Sequence, residues 1–343
     1  MKYPLFITGP SSGGTHLLAT MLDSHPEIAA GPELSLLQHK EVYADWQVAQ
    51  DRLRDALKRT WSPARRAIRG GLGFRRMAPP GVISTAFRSI HGYGLSPKDI
   101  GQRLTDAHSL RELIDGIGDH FLEYRGKTSG IWIEKTLSNV FRHHEILEIW
   151  PEARFIVLAR DGRDSCSSVI RRGSEPLPAY GLWLARLGAA SNLADRKNVY
   201  VLKYEDLVSD LKKNMRSICD FIGVSFDESV LNPELNEYWK KQSQYHKTWS
   251  TTPTSGAIST KSIGKYRERL TPEQLSLFWA VALTRYGVAE YSSGCRDTLQ
   301  TMDTYGYSVD IDEEWKGLDG FSPMSAQTLR TLASRLVEVR SPE

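Results

Sequence analysis

A glycine-rich turn near the start of the chain is the first place where residue types and spacing point to chemistry. Residues 5–8 form a short apolar run with a β-branched end, which predicts a buried strand. The turn 9–14 cannot continue that strand, and from residue 15 to 22 apolar side chains recur on one helical face. Several backbone N–H groups in such a turn point to one spot, which lies at the positive end of the following helix. That spot attracts a phosphate or sulfate.

The turn differs from the phosphate-binding loop of ATP-using enzymes at two positions. That loop needs Gly-x-x-x-x-Gly-Lys-Ser/Thr, with the lysine on the phosphates and the hydroxyl on magnesium. Gly9 and Gly14 keep the glycine spacing, but Thr15 replaces the lysine and His16 replaces the hydroxyl residue. The sequence therefore keeps a backbone cradle without the magnesium-binding side chain. An anion site and an ordinary strand-to-helix turn both remain open here.

A second candidate anion site comes later in the chain. Arg160 follows a strongly apolar run at 154–159, and Ser168 and Arg172 are four residues apart on a predicted helix at 165–173. Residues at this spacing share a helical face, and two guanidinium groups with a hydroxyl suit an oxyanion. A surface ion pair at the strand end is the alternative. Lys135 and Lys265 could add positive charge where a group is transferred.

The elements around these residues alternate between strand and helix. Strand patterns at 131–136, 154–159 and 199–204 are separated by helical patterns at 141–150 and 165–173, and another helix runs to about residue 222. Residues 27–34 fit a second short strand or a loop. We therefore predict an α/β fold with a central parallel sheet flanked by helices. Ligands in such sheets bind at the carboxyl ends of the strands, which places the loop 9–15, Lys135, Arg160 and Tyr204 at one rim.

Two segments depart from this alternation. Residues 37–128 carry helical patterns at 41–60, 97–104 and 109–124, interrupted by a glycine-rich stretch at 65–76 with five arginines. We predict a helical insertion that covers the acceptor site; the arginines could bind an acidic polymer or lie in a solvated loop. Residues 292–343 form a C-terminal extension with a predicted amphipathic helix at 325–339, which could pack on the core or mediate a homodimer. The main domain is then 1–291.

Composition limits the other classes of function. The chain has 343 residues, 40% hydrophobic and 25% charged, which is ordinary for a globular protein, and its net charge of +3 argues against a dedicated nucleic-acid binder. The three cysteines are far apart in sequence, which suggests neither a metal cluster nor a disulfide framework. Without an apolar run of about 20 residues or a signal-like start, we expect a cytoplasmic protein.

Taken together, these motifs resemble those of the sulfotransferases that use 3′-phosphoadenylyl sulfate (PAPS), above all the tyrosylprotein sulfotransferases and their bacterial relatives. The resemblance covers the first 35 or so residues and most of 131–291. It implies a phosphate-binding-loop fold, with PAPS as co-substrate and no metal. It also implies a hydroxyl-bearing acceptor, which could be a carbohydrate, lipid, phenol or peptide.

The resemblance also assigns roles to individual residues. Glu33 falls on the general base, while Lys135 and Ser250 fall on residues at the transferred sulfuryl group. The residues implied to bind the nucleotide are Ser11, Ser12, Gly13, Gly14, Thr15, Arg160, Ser168, Arg172, Tyr204 and Lys265. His16 is the second choice as base, and the pair His143–His144 is expected to be structural or on the surface.

One departure from the family pattern concerns the loop. The family usually has Arg or Lys where this chain has Ser11, and losing that contact costs roughly 1.5–3 kcal/mol. Lys135, Lys265 or a basic residue of the insertion could compensate. The alternatives are a nucleotide-dependent kinase, which Thr15 counts against, an inactive nucleotide-binding relative, and a polymer-binding protein that uses residues 65–76.

Overall fold

A five-stranded parallel sheet forms the centre of the computed structural model, which describes residues 2–61, 83, 86–245, 258–283 and 307. Its strands are β1 (Pro4–Thr8), β2 (Ile28–Ala30), β3 (Ile131–Glu134), β4 (Arg154–Ala159) and β5 (Val199–Lys203). Their order in the sheet is β2-β3-β1-β4-β5, and every adjacent pair is parallel. The predicted α/β class with a central parallel sheet is confirmed.

Helices cover both faces of the sheet. In chain order they are α1 (Thr15–Asp23), α2 (Trp46–Trp61), α3 (Pro97–Asp106), α4 (Leu110–Tyr124), α5 (His143–Ile149), α6 (Gly162–Ile170), α7 (Pro176–Ser191), α8 (Tyr204–Ser209), α9 (Leu211–Ile222), α10 (Glu237–Tyr245), α11 (Tyr266–Arg269) and α12 (Pro272–Leu283). Short 3₁₀ turns lie between several of them, including Leu137–Arg142 and Thr260–Ser262. Within the described residues, no helix combines the length and apolar character needed to cross a bilayer.

Alternation along β1 explains the two-sided core. Leu5 and Ile7 pack with α1 and α9 in one apolar cluster, whereas Phe6 faces the opposite cluster and stacks on Phe155 with ring centroids 5.0 Å apart. All five residues of β1 are buried, as expected for a central strand covered on both faces. The loops that follow the carboxyl ends of the strands are therefore anchored to a buried sheet.

The helices α2, α3 and α4 occupy the segment predicted as an insertion. Their apolar side chains, such as Leu53, Leu104 and Phe121, belong to the same cluster as Phe6, so they pack on the sheet. The covering role predicted for this segment stays a prediction. The arginine-rich stretch 65–76 lies outside the described residues.

Some element boundaries differ from the sequence-based ones for local reasons. Helix α6 begins at Gly162 instead of 165 because the Asp161 side chain caps it, accepting the Arg163 N–H at 2.8 Å. The helix predicted for 141–150 splits into a 3₁₀ turn and α5. Tyr204 starts α8 and does not end β5.

Candidate functional site

The turn after β1 is tightly packed at its glycines. Gly14 has φ of +91°, and a Cβ atom there would lie 2.3 Å from Cδ2 of Tyr204. A Cβ atom on Gly9 would lie 2.3 Å from the carbonyl oxygen of Leu158, at the end of β4. Glycine is therefore required for the loop to approach both neighbouring elements, which explains the glycine spacing.

Neighbouring side chains hold the loop carbonyl groups. Arg160 donates from Nη1 to the Ser12 carbonyl at 2.6 Å, and Ser165 donates to the Ser11 carbonyl at 2.5 Å. With these carbonyls turned toward α6 and the end of β4, the helix α1 begins at Thr15 directly behind the turn. The first N–H groups of a helix have no partner inside the helix, so the loop is preorganised for an anion.

Arginines gather on the Ser12 side of the loop. Arg172 donates from Nη2 to Ser12 Oγ at 2.5 Å, and the Arg160 guanidinium lies 4.2 Å from the ring centroid of Tyr204. Arg160 also donates to the Ser262 carbonyl at 3.0 Å. Its Nε is buried and has no hydrogen-bond partner among the described residues. The predicted residues Arg160, Arg172 and Tyr204 thus meet around one loop.

Ser168 belongs to the same cluster through a residue that sequence reasoning missed. Arg269, on α11, donates from Nη1 to Ser168 Oγ at 3.1 Å. Burial, followed by repulsion from Arg171, lowers the pKa of both Arg172 and Arg269. Cations that are desolvated and repel one another gain stability from a bound polyanion, so the cluster favours a phosphate-bearing ligand.

Lys265 lies one turn before Arg269, at the start of α11. Asp164 fixes this turn, because its carboxylate accepts the N–H groups of Gly264 at 2.6 Å and Tyr266 at 2.8 Å. Burial raises the pKa of Asp164, and those two hydrogen bonds oppose the rise. The Lys265 ammonium itself donates to Glu268 at 3.0 Å. The backbone of Lys265 therefore lies at the site, while its ammonium group is bonded to the neighbouring carboxylate of Glu268.

A second group of residues lies beyond the ends of β2 and β3. Lys135 Nζ and Glu33 Oε1 are 3.3 Å apart; the lysine side chain is buried, and the glutamate side chain is 25% exposed. Glu134 positions both: its carboxylate accepts the Leu34 N–H at 3.0 Å and the Thr136 N–H at 3.0 Å. Burial raises the pKa of Glu134, against the effect of these hydrogen bonds. Glu33 is thus held in place but remains open to solvent.

A cavity of about 260 Å³ opens beside Glu33. Its polar lining includes Ser35, Gln38, Arg88, Ser89, Ser138 and Arg186. Arg88 and Ser89 come from the predicted insertion, and Arg186 comes from α7. The cavity lies next to the loop, because Arg186 also donates to Ser11 Oγ at 2.6 Å.

Comparison with known families decides the classification. The model of the sulfotransferase family matches residues 4–228, and a sulfotransferase domain model matches residues 177–286. The chain belongs to the sulfotransferase family. This confirms the resemblance inferred from the motifs, and the sulfotransferase match includes the loop, Glu33, Lys135 and Arg160.

Individual sulfotransferases are only distantly similar. Protein-tyrosine sulfotransferase 2 of Gallus gallus is 22% identical over 241 residues, covering 67% of this chain and 53% of its own length. Protein-tyrosine sulfotransferase A of Caenorhabditis elegans is 23% identical over 247 residues, covering 67% and 52%. The chain therefore spans about half the length of these curated relatives.

A solved sulfotransferase structure shares the fold. The sulfotransferase domain of the olefin synthase of Synechococcus PCC 7002 superposes with a TM-score of 0.56 at 20% identity. The match covers 90% of this chain and 95% of that domain. The phosphate-binding-loop architecture predicted for the sheet is thus the fold of a sulfotransferase domain.

The remaining sequence candidates have different outcomes. Ser250 lies outside the described residues. His16 packs edge-on against Trp239, with ring centroids 4.6 Å apart. His143 is buried and donates from Nδ1 to the Val140 carbonyl at 2.9 Å, which gives it a structural environment.

The sequence did not point to two arginines that contact the predicted site residues: Arg186, which bonds Ser11, and Arg269, which bonds Ser168. Arg269 had a local signal, since it follows Lys265 by one helical turn. Arg186 had none, because α7 begins with Pro176 and contains Gly181 and Gly188, which suggest a loop. Proline is tolerated in the first turn of a helix, so α7 forms nonetheless.

Proposed function

We propose that this protein transfers a sulfuryl group from PAPS to an acceptor hydroxyl. The observation that carries the proposal is the convergence of three features at one edge of the sheet. These are the glycine loop, the arginine cluster around Ser12 and the Glu33–Lys135 pair beside a cavity. A ligand with phosphate at two places and a transferable group at one end fits this arrangement.

The chain's residues fit such a donor. The loop 9–15 leads directly into the first turn of α1, whose backbone N–H groups suit the 5′-phosphosulfate. Arg160, Arg172 and Ser168 would bind the 3′-phosphate, and the buried Arg160 Nε offers a further donor there. When bound, PAPS supplies the sulfuryl group: its sulfur–oxygen bond to the 5′-phosphate breaks, sulfur bonds to the acceptor oxygen, and adenosine 3′,5′-bisphosphate (PAP) leaves.

Glu33 acts as the general base in this proposal. Its partly exposed carboxylate borders the cavity, where it can take the proton of an acceptor hydroxyl. Lys135, 3.3 Å away, stabilises the carboxylate before transfer and the negative charge that develops next to it. Positioning and charge stabilisation supply the catalysis, as in phosphoryl transfer.

The acceptor is proposed to be polar. The serines, glutamine and arginines that line the cavity suit a carbohydrate or a peptide better than a lipid chain. The curated relatives are named protein-tyrosine sulfotransferases, which adds a peptide tyrosine to the candidates. We also propose that the protein works in the reducing environment of the cytoplasm. The free thiols of the buried Cys166 and Cys219 support this proposal.

Calorimetric titration with PAP, against ADP and ATP, tests the donor. The proposal expects PAP to bind with a dissociation constant on the order of micromolar and the other nucleotides to bind at least about tenfold more weakly. A preference for ATP would favour a kinase instead. Binding of none of the three would contradict the proposed donor.

Glu33→Gln tests the base. Transfer from radiolabelled PAPS to a tyrosine peptide, an oligosaccharide and a simple phenol first identifies a working acceptor. With that acceptor, the variant should lose about 10²–10⁴ in kcat, because an amide cannot accept the proton and no longer pairs with Lys135 as a carboxylate does. Its PAP affinity should stay within about twofold, because Glu33 is not among the residues proposed to bind the nucleotide. Glu27→Gln, at an exposed carboxylate paired with Lys2, is the matched control. If Glu33→Gln turns over at the wild-type rate, Glu33 is not the general base.

A further inference from the structure

Arg186 joins the two halves of the site. From α7 its side chain donates through Nη1 to Ser11 Oγ at 2.6 Å and through Nη2 to Ser138 Oγ at 3.0 Å. Ser11 belongs to the glycine loop, and Ser138 borders the cavity beside Glu33. Arg186 is only 9% exposed, so its guanidinium lies where the loop and the cavity meet.

The loop itself brings no positive side chain to that place. Residues 11–15 are Ser, Ser, Gly, Gly and Thr. Other cations of the site have different contacts: Arg172 bonds Ser12 Oγ, Lys265 pairs with Glu268, and Lys135 pairs with Glu33. Arg186, by contrast, contacts the loop through Ser11 and lines the cavity that Glu33 borders.

We propose that Arg186, in addition to Lys135, is a cation that binds the sulfuryl oxygens of PAPS, at the junction of loop and cavity. This inference rests on the proposed function. In a buried setting a charge-assisted hydrogen bond is strong, and a donor that is already fixed needs no reorganisation during transfer. Arg186 thus takes, from a different element, the place of a basic side chain in the loop.

Helix α7 is well placed to position this residue. Trp183, one turn earlier, donates from Nε1 to the Arg160 carbonyl at 3.1 Å. The same helix is therefore bonded to the arginine cluster through Trp183 and to the loop through Arg186. A helix that is bonded to both regions restrains the position of the guanidinium, and group transfer depends on such positioning.

The test compares two ligands that differ only by the sulfuryl group. Calorimetry should show that Arg186→Gln weakens PAPS binding about tenfold or more and changes PAP binding less than about threefold, because the lost contact is to the sulfuryl oxygens. Arg172→Gln is the matched control: it should weaken both ligands equally, since it removes a contact that both share. If the wild-type chain binds neither ligand, the proposed function fails. If Arg186→Gln weakens both ligands equally or neither, only this inference fails.

Two further variants separate charge from structure. Ser11→Lys in the Arg186→Gln background returns a cation to the loop beside the vacated guanidinium, so it should restore the preference for PAPS over PAP; an unchanged preference would overturn the inference. If Arg186→Gln does not fold, Ser138→Ala removes one anchor of Arg186 without changing its charge. That variant should weaken PAPS about threefold and leave PAP unchanged, and an unaltered PAPS affinity would contradict the proposal.

Discussion

At the scale of single residues, the loop glycines show how geometry determines residue type. Gly14 combines a positive φ with a close approach to Tyr204, so an added methyl group meets both backbone strain and an aromatic ring. Gly173 has the same φ of +91°, but nothing lies within 4 Å of a Cβ placed there. The pair separates the two effects experimentally.

Gly14→Ala should therefore cost more than Gly173→Ala. We expect Gly173→Ala to lower the free energy of unfolding by about 1 kcal/mol from strain alone. Gly14→Ala should lose about 1–3 kcal/mol more, because Tyr204 must move, and it should weaken PAP binding at least tenfold. Denaturant unfolding and calorimetry measure both. Equal losses for the two variants would show that Tyr204 yields freely and that the loop does not depend on this contact.

The same scale shows what the sequence could and could not predict. Arg160 was predictable because it follows a strand, and Ser168 and Arg172 were predictable from their spacing of four residues, although α6 ends at Ile170 and Arg172 lies in the turn beyond it. The Glu33–Lys135 ion pair was not predicted, because its partners are far apart in sequence and meet only through the pairing of β2 with β3. Arg186 was missed for the same reason, since no local pattern links α7 to the loop.

At the scale of elements, the end of α1 is fixed by a buried carboxylate. Asp23 is 1% exposed and accepts two hydrogen bonds from Arg125, at 2.8 and 2.9 Å. It also accepts the Ala30 N–H at 2.9 Å and the Asn236 side-chain amide at 2.8 Å. This one residue ties α1 to β2, to the segment after α4 and to the start of α10.

Asp23→Asn should destabilise the fold strongly. The substitution leaves the Arg125 guanidinium, whose side chain is 14% exposed, without its counter-charge, and breaking such a buried pair costs about 3–5 kcal/mol. Denaturant unfolding measures the loss. Glu27→Gln breaks the exposed pair with Lys2 and should cost less than about 1 kcal/mol. If Asp23→Asn lowers the free energy of unfolding no more than Glu27→Gln does, Asp23 does not hold these elements together.

The elements around the sheet were predictable to different degrees. Residues 154–159 gave the bounds of β4 without error, because the apolar run 155–159 is short and contains β-branched residues, which favours a strand over a helix. Helix boundaries were less accurate, since α6 gains its first turn from the Asp161 cap and α8 follows β5 with no intervening loop. Such ends depend on side-chain hydrogen bonds that periodicity does not record.

At the scale of the whole molecule, Tyr307 links the C-terminal extension to the part of the core beside Arg160. Its hydroxyl donates to Glu205 Oε2 at 2.9 Å, and its ring lies 5.3 Å from the Lys203 ammonium. Glu205 in turn accepts the Asp161 N–H at 3.1 Å, directly beside Arg160. The extension was expected either to pack on the core or to mediate a homodimer. At Tyr307 it packs on the core.

Tyr307→Phe should be mildly destabilising, and deletion of 292–343 more so. The phenylalanine variant removes one hydrogen bond to a partly buried carboxylate, and we expect a loss of about 1–2 kcal/mol in the free energy of unfolding. The deletion also uncovers the surface that the Tyr307 ring buries, so its loss should exceed that of Tyr307→Phe.

Thermal unfolding of the two variants, together with PAP titration, measures how far this contact supports the site. Since Glu205 holds the turn at Asp161, both changes should also weaken PAP binding, by a few-fold for Tyr307→Phe. Tyr124→Phe, at a tyrosine that is 54% exposed, serves as the control and should change neither quantity. If the deletion leaves stability and PAP affinity at wild-type values, the contact of Tyr307 with Glu205 contributes nothing to the arginine cluster, and the core 1–291 is sufficient for the donor site.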